Sequence, residues 1–312
     1  SEQLGKAIGW NALAVALSSA AGPTLGAFVL RLGSFRLLFV ISASLGLILL
    51  FATRALPHVV GSAREVDAFS VLLNAVAFGA LLVGAERSAE APMFGAGLLG
   101  VGVLALGLLT RRELPRRAPM IPIDLLRVPS FRVSVIASVC CFMGQSAAMV
   151  SLPFYLQHGL GQDVLRTGLL ITPWPLTVAL AAPISGRLSN HVSGAWLCAV
   201  GGGLLALGLG AAALLPLHEQ PLVLVPLVSL CGAGFGLFQV SNNRSLLLSA
   251  PPARSGAAGG MQGTARLTGQ TTGSVLMTLL FTLTPAELAP RIGLGFAALA
   301  TLIAGLVSTL RR

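Results

Sequence analysis

The sequence predicts an all-α integral membrane protein with about ten transmembrane helices, and three observations carry that prediction. Hydrophobic residues make up 55% of the 312 residues and charged residues only 10%, whereas a soluble domain carries about 25% charge because its surface faces water. The apolar residues fall into runs close to the ~20 that cross a bilayer as a helix. Those runs are continuous, where the strands of a membrane barrel would alternate at every second residue. A mean hydropathy of +0.87 also excludes disorder, which needs low hydrophobicity and high charge.

In chain order the spans read 8–30, 36–53, 68–84, 92–110, 133–156, 167–185, 196–216, 221–245, 257–283 and 292–310. Charges separate most of them: Lys6, Arg31, Arg54 with Arg64, Arg87, Arg166, Arg187, Arg254, Arg291, and the closing Arg311 and Arg312. The longest non-apolar stretch, 111–132 (RRELPRRAPMIPIDLLRVPSFR), holds four prolines and six arginines. Pro115, Pro119 and Pro122 interrupt any helix there, so it reads as a connector between a four-helix and a six-helix portion, with 120–126 lying along the membrane surface. The chain opens on Ser1 with an apolar run almost at once, which reads as a piece of a longer chain. Ten spans put both termini on one side. Thirteen basic residues fall in segments on that side and five in the opposite loops, so the positive-inside rule places both termini in the cytoplasm.

A net charge of +10 raises nucleic acid as a partner. Aromatic residues are 6% of the chain, and no segment interleaves them with basic residues as a stacking surface requires. Basic clusters between apolar runs are explained by topology and contact with anionic lipid. Cys140, Cys141, Cys198 and Cys231 lie inside apolar runs without metal-type spacing, and read as buried small hydrophobes. No P-loop is present. Gly232, Gly234 and Gly236 lie in mid-span rather than after a soluble strand, so they read as close-packing residues and not as a phosphate cradle. Neither a metal nor a cofactor is implied, and no obligatory protein partner.

Several residues stand out at membrane depth. Arg266 lies about nine residues into its span, roughly 14 Å at 1.5 Å per residue. Gln262 and Gln270, four residues either side, share its helical face. A charge at that depth normally faces protein or water. The three therefore read either as a polar stripe lining a transport cavity, or as an arginine that snorkels to the surface or bonds backbone carbonyls. Arg244, nearer its helix end, reads as snorkelling. Gln145 sits in mid-span between Met143 and Met149, either as a cavity contact or as an interhelical hydrogen-bonding group. Trp174, between Pro173 and Pro175, either offers its ring to a lipophilic cation or packs at a broken helix. All ten carboxylates and the four histidines fall outside the spans or at their edges, although proton coupling normally uses an embedded acid or histidine. In the first span, Ser18, Gly22 and Gly26 repeat at four-residue spacing around Pro23, which bends a helix and lets a neighbour approach closely.

The stretch 18–27 (SSAAGPTLGA) resembles the antiporter motif G-x-x-x-G-P-x-x-G-G of the major facilitator superfamily's drug exporters, with Ser18 and Ala27 in place of two glycines. Ser34-Phe35-Arg36-Leu37-Leu38-Phe39 stands where those exporters show W-R-W-x-F. Asn242-Asn243-Arg244, Pro252-Ala253-Arg254-Ser255-Gly256-Ala257 and Thr264-Ala265-Arg266-Leu267-Thr268-Gly269-Gln270 are similar to the family's twelfth-to-thirteenth helix region. Gly186-Arg187-Leu188-Ser189-Asn190 echoes its cytoplasmic motif, with Asn190 in the place of the aspartate. Either a weakened motif or an ordinary turn fits that segment. The resemblance is to the fourteen-helix drug/proton antiporters and covers nearly the whole chain, lacking their first four helices.

It implies a major facilitator-like fold. Residues 1–56 would be the last two helices of the N-terminal bundle and 57–110 the two inserted helices. Residues 111–132 would form the cytoplasmic connector and 133–312 a complete C-terminal six-helix bundle. It further implies a multidrug efflux permease of the inner (cytoplasmic) membrane, exporting amphipathic, often cationic drugs against protons by alternating access. The coupling carboxylate would lie in the missing helices. A facilitator for a sugar or organic anion, with Arg266 on the anion, is a second expectation. An inactive truncated remnant is a third. An enzyme is not expected, because no titratable cluster sits at membrane depth.

Overall fold

The computed structural model describes residue 29 and residues 35–55, 67–88, 91–113, 124–215, 221–251, 254–285 and 288–311. The first span, with Ser18, Gly22, Pro23 and Gly26, lies outside the described residues apart from residue 29, as does most of the connector. Every regular element among the described residues is helical. The helices are α1 Phe35–Ala52, α2 Ala68–Arg87, α3 Pro92–Glu113, α4 Pro129–Phe154, α5 Val164–Ile171, α6 Pro173–Leu188, α7 Gly194–Leu214, α8 Leu224–Leu248, α9 Ser255–Leu283 and α10 Ala289–Ser308. They fall on the second to tenth spans read from the sequence, with α5 and α6 sharing the sixth. Among the described residues, six stretches are long and apolar enough to cross a membrane: α3, α4 with the turn that follows it, α5–α6, α7, α8 and α10.

Local chemistry sets the helix ends. Asp67 accepts from the amides of Phe69 and Ser70 at the start of α2, and Asp163 accepts from Arg166 N at 2.7 Å at the start of α5. Each satisfies backbone donors that the first turn leaves free. Pro129 and Pro173 open α4 and α6, where a missing N–H costs nothing. This is why α4 begins four residues before the sequence reading. Pro153 removes a backbone bond late in α4, and the chain widens into a π turn over Tyr155–Gly159. Gly161, at φ 61°, then reverses the chain ahead of Asp163. The connector's first residues are helical too: Arg111 and Arg112 form the last turn of α3.

Helices α4 to α10 form one bundle with a regular pairing. Extensive contacts join α4 with α9, α4 with α10, α10 with α7, α7 with α8, and α8 with α6. Thus α4, α10, α7 and α8 make a ring that a lighter α4–α8 contact closes, with α9 outboard of α4 and α6 outboard of α8. Exchange α4, α6 and α7 for α8, α9 and α10, and each pairing maps onto another. Each unit of three spans reverses the direction of the next, giving an inverted repeat. The inner seams bring backbones together. A Cβ on Gly201 would lie 2.6 Å from the Gly234 carbonyl oxygen, and one on Gly202 2.8 Å from Gly305 Cα, the close approach that small residues permit in membranes. Leu165, Leu169, Leu176, Leu180 and Ile184 remain exposed along α5–α6, as a lipid-facing surface requires.

The earlier helices are packed differently. Helices α2 and α3 form a hairpin, closed at one end by Arg112 pairing with Asp67 at 3.0 Å and by Ser70 Oγ donating to buried Glu113 at 2.7 Å. Among the described residues, α2 touches α9 only lightly. Nearly all of α1 is exposed, with Phe39 at 62% and Leu49 at 66%.

Candidate functional site

The ring has two broad sides. On one, α7 lies against α10; on the other, α4 faces α8 with α9 and α6 flanking them. The second side carries the polar residues that the sequence singled out. Asn242 of α8 is fully buried and donates to the Ser134 carbonyl at 3.1 Å and Ser138 Oγ at 3.0 Å on α4. Further along the seam, Phe142 of α4 meets Phe235 of α8 edge to face, with centroids 5.6 Å apart. Gln145 follows one turn beyond Phe142 on the same face. Its Oε1 is buried with no hydrogen-bond partner among the described residues.

Helix α9 contributes the rest. Ala258, Met261, Ala265, Gly269, Gly273 and Met277 are its buried residues, a stripe at three- and four-residue spacing. That stripe packs on α4: a Cβ on Gly269 would lie 2.5 Å from the Val139 carbonyl oxygen, and one on Gly273 would collide with the Met143 carbonyl. Ser146 and Ser274 add a hydrogen bond across the seam at 2.9 Å. Gln262 and Gln270 are half-buried and Arg266 is exposed beside this stripe. The guanidinium carbon of Arg266 stands 5.6 Å from the centroid of Phe142, a cation–π contact. Because Phe142 also meets Phe235, Arg266 lies on the α8 side of the α4–α9 seam. No ion pair or hydrogen bond holds it among the described residues. It does not bond backbone carbonyls there.

Trp174 is 2% exposed, enclosed in the bundle's apolar core with Phe235, Leu205 and Met277. Its carbonyl lies where a Cβ on Gly232 would stand. Phe142, the aromatic partner of Arg266, belongs to the same apolar core, and Trp174 is buried within it. The sequence reading passed over Gln239, a half-buried residue in mid-helix. It lies four residues from Phe235 and three from Asn242, both of which face α4, and that spacing was available to find it.

One end of the bundle holds a second polar cluster. Gly186 is buried in α6 and Arg187 is exposed, while Asn190 follows in a turn. Arg244 donates to the Ser189 carbonyl and, at 3.1 Å, to Asn190 Oδ1. Arg244 lies near the end of α8, and its guanidinium finds the carbonyl-rich C-terminal end of α6, where the helix dipole favours a cation. Ser185 and Ser189 lie 3.1 and 3.2 Å from Ser241 Oγ. Arg311 donates to Asn242 Oδ1 and approaches Cys198 Sγ at 3.5 Å. Asp124, ahead of α4, pairs with Arg254 at 2.7 Å.

The described carboxylates keep to helix ends. Asp67 and Asp163 cap helices, Glu113 closes α3, and Asp124 precedes a short turn before α4. His158 sits in the π turn and His191 in the turn after α6. Within the spans, the described site therefore offers a guanidinium, side-chain amides and an aromatic edge. It can bind and orient a solute, and it carries no group suited to covalent or acid–base chemistry.

Comparison with known proteins agrees with this architecture. The chain is 42% identical over 313 residues to the "Uncharacterized transporter YebQ" of Escherichia coli (strain K12), covering 99% of the chain and 68% of that protein. It is 27% identical to the "Riboflavin transporter RibZ" of Clostridioides difficile (strain 630), covering 84% of the chain and 58% of the relative. To the "Multidrug resistance protein Stp" of Mycobacterium tuberculosis (strain ATCC 25618 / H37Rv) it is 29% identical, covering 92% and 54%. The chain thus spans from about half to two thirds of the length of these relatives. The Major Facilitator Superfamily profile matches residues 1–274. With its apolar spans and inverted three-helix units, the chain is a multi-pass membrane protein and belongs to the Major Facilitator Superfamily of secondary transporters, not to an enzyme family.

Proposed function

We propose that this chain is the greater part of a fourteen-helix, proton-coupled exporter of amphipathic organic compounds, charged ones included, working by alternating access. The observation that carries this reading is the polar side of the α4–α8 seam. Gln145, Arg266 and the amides of α9 stand at membrane depth where a lipid-facing surface would be apolar. Similarity to the multidrug resistance protein supports the drug-like substrate class. Residues 133–312 would be the C-terminal bundle and 57–110 the inserted pair. Residues 1–56 would close an N-terminal bundle, and 111–132 would be a cytoplasmic connector. Both termini would lie in the cytoplasm of a cell whose inner membrane holds the protein. The Asn190–Arg244 contact would steady that bundle's cytoplasmic end as it rocks.

Inside-out vesicles from cells making the protein provide the test. An amphipathic dye should enter them when a proton gradient is imposed and leave when an ionophore collapses it. Dye movement indifferent to the gradient would overturn proton coupling. The absence of movement for a panel of amphipathic dyes would overturn export of this class.

A further inference from the structure

We infer that the α4–α8–α9 site selects for the anionic pole of its solute, so that its preferred substrates are acidic or zwitterionic aromatic compounds that also carry a hydrogen-bond donor. This rests on the export reading above and gives it a sign. The spans described around the site contain no carboxylate; Asp67, Glu113, Asp124 and Asp163 all stand at helix ends. The charge that does face the seam is Arg266, the twelfth of the 29 residues of α9 and so about 16 Å from its start. A guanidinium at membrane depth is ordinarily paired with an acid or with backbone carbonyls. Arg266 has neither among the described residues. Its guanidinium carbon stands 5.6 Å from the centroid of Phe142, and Phe142 is itself backed by Phe235. That contact leaves the five N–H donors for another partner, in the planar fork that suits a carboxylate, sulfonate or phenolate.

Two further features narrow the solute. Gln262 and Gln270, one turn to either side of Arg266, are half-buried amides able to bond the same anion or its neighbours. Gln145 Oε1, one turn from Phe142, is a buried acceptor without a donor among the described residues. An acceptor in that condition is satisfied by an N–H or O–H brought by the solute. A lipophilic cation would meet the opposite arrangement: a like charge at Arg266 and no carboxylate among the described residues of α4, α8 and α9 to offset it.

Fluorescein and rhodamine 6G share a xanthene ring system and differ in charge sign, so they separate charge from shape. Binding of each dye to the full chain in lipid nanodiscs is read by fluorescence anisotropy. The wild type should bind fluorescein at least about tenfold more tightly than rhodamine 6G. Arg266→Gln should weaken fluorescein binding about tenfold or more, the scale of a lost charged hydrogen bond, and change rhodamine binding less than twofold. Arg266→Lys should retain most of the preference. Gln145→Met should weaken fluorescein binding severalfold with the charge preference intact. Equal affinities of the wild type for the two dyes would overturn the inference, as would an Arg266→Gln effect of the same size on both. Binding is measured without a gradient. Failure of a proton gradient to drive either dye would therefore strike the export reading and leave the charge preference standing.

Discussion

The two ends of the six-helix bundle are built on different principles. At the end where α4, α7 and α9 begin, side chains tie helices together. Asn242 bonds Ser134 and Ser138, Arg311 bonds Asn242, Arg244 bonds the turn after α6, and Ser185, Ser189 and Ser241 cluster within 3.2 Å. At the opposite end, Arg291 donates to the carbonyls of Ala213 and Leu214, and Phe154 packs on Phe281 and His158. That end also contains the π turn and the break between α5 and α6, and Thr167 Oγ1 is buried there without a hydrogen-bond partner among the described residues. One end is specified mainly by a network of directional polar bonds, the other mainly by shape, with Arg291 its polar tie. In a membrane, where lipid is as apolar as a side chain, association depends on packing and interhelical hydrogen bonds. The difference therefore locates where each of these two forces acts.

Mutations can break or sharpen that contrast, and the buried thiols of Cys141, Cys198 and Cys231 allow thermal unfolding to be followed with a thiol-reactive dye. The largest effect is expected at mid-bundle, which serves both ends. Gly232→Val sets a side chain against the Trp174 carbonyl and should destabilise the bundle by about 3 kcal/mol. A melting temperature equal to wild type would show that α6 and α8 are not held in that register. Asn242→Leu comes next. It removes the bonds to Ser134 and Ser138 and deprives Arg311 of an acceptor, and should cost about 2 kcal/mol.

A double-mutant cycle of Asn242→Leu with Arg311→Ala should give a coupling of roughly 1 kcal/mol. Strict additivity would mean that the two do not act as one unit. The smallest effect belongs to the other end. Thr167→Val removes a buried hydroxyl that has no partner among the described residues, so stability should be unchanged or higher by up to about 1 kcal/mol. A clear loss there would contradict the view that this end is held by shape.

Much of the architecture was legible in the sequence because a bilayer demands runs of fixed length and apolarity. The spans at 92–110 and 196–216 correspond closely to α3 and α7. The broken sixth span was foreshadowed by Pro173 and Pro175. Other features needed neighbours in space. The π turn after Phe154 depends on how Tyr155 and Leu156 are buried, and Pro153 by itself does not specify it. That Arg244 lies near a helix end was legible, but not that the end of α6 would hold it there. At the site, the spacing of Gln262, Arg266 and Gln270 put them on one face. It could not show that Phe142 of another helix lies beneath the arginine, or that Trp174 is enclosed in the apolar core.

The sequence by itself determined that the chain spans a membrane as helices, and where its apolar runs and the few polar residues within them lie. These follow from composition and periodicity, which act along the chain. The tertiary structure decided which helices are partners, that three-helix units repeat with inverted direction, and that Arg266 stands by Phe142 of α4 while Trp174 is buried in the core. Those outcomes depend on where glycines such as Gly201 and Gly234 let backbones meet, and on which polar groups find one another. Both are properties of residues far apart in sequence, and a bilayer's demand for apolar length is blind to them.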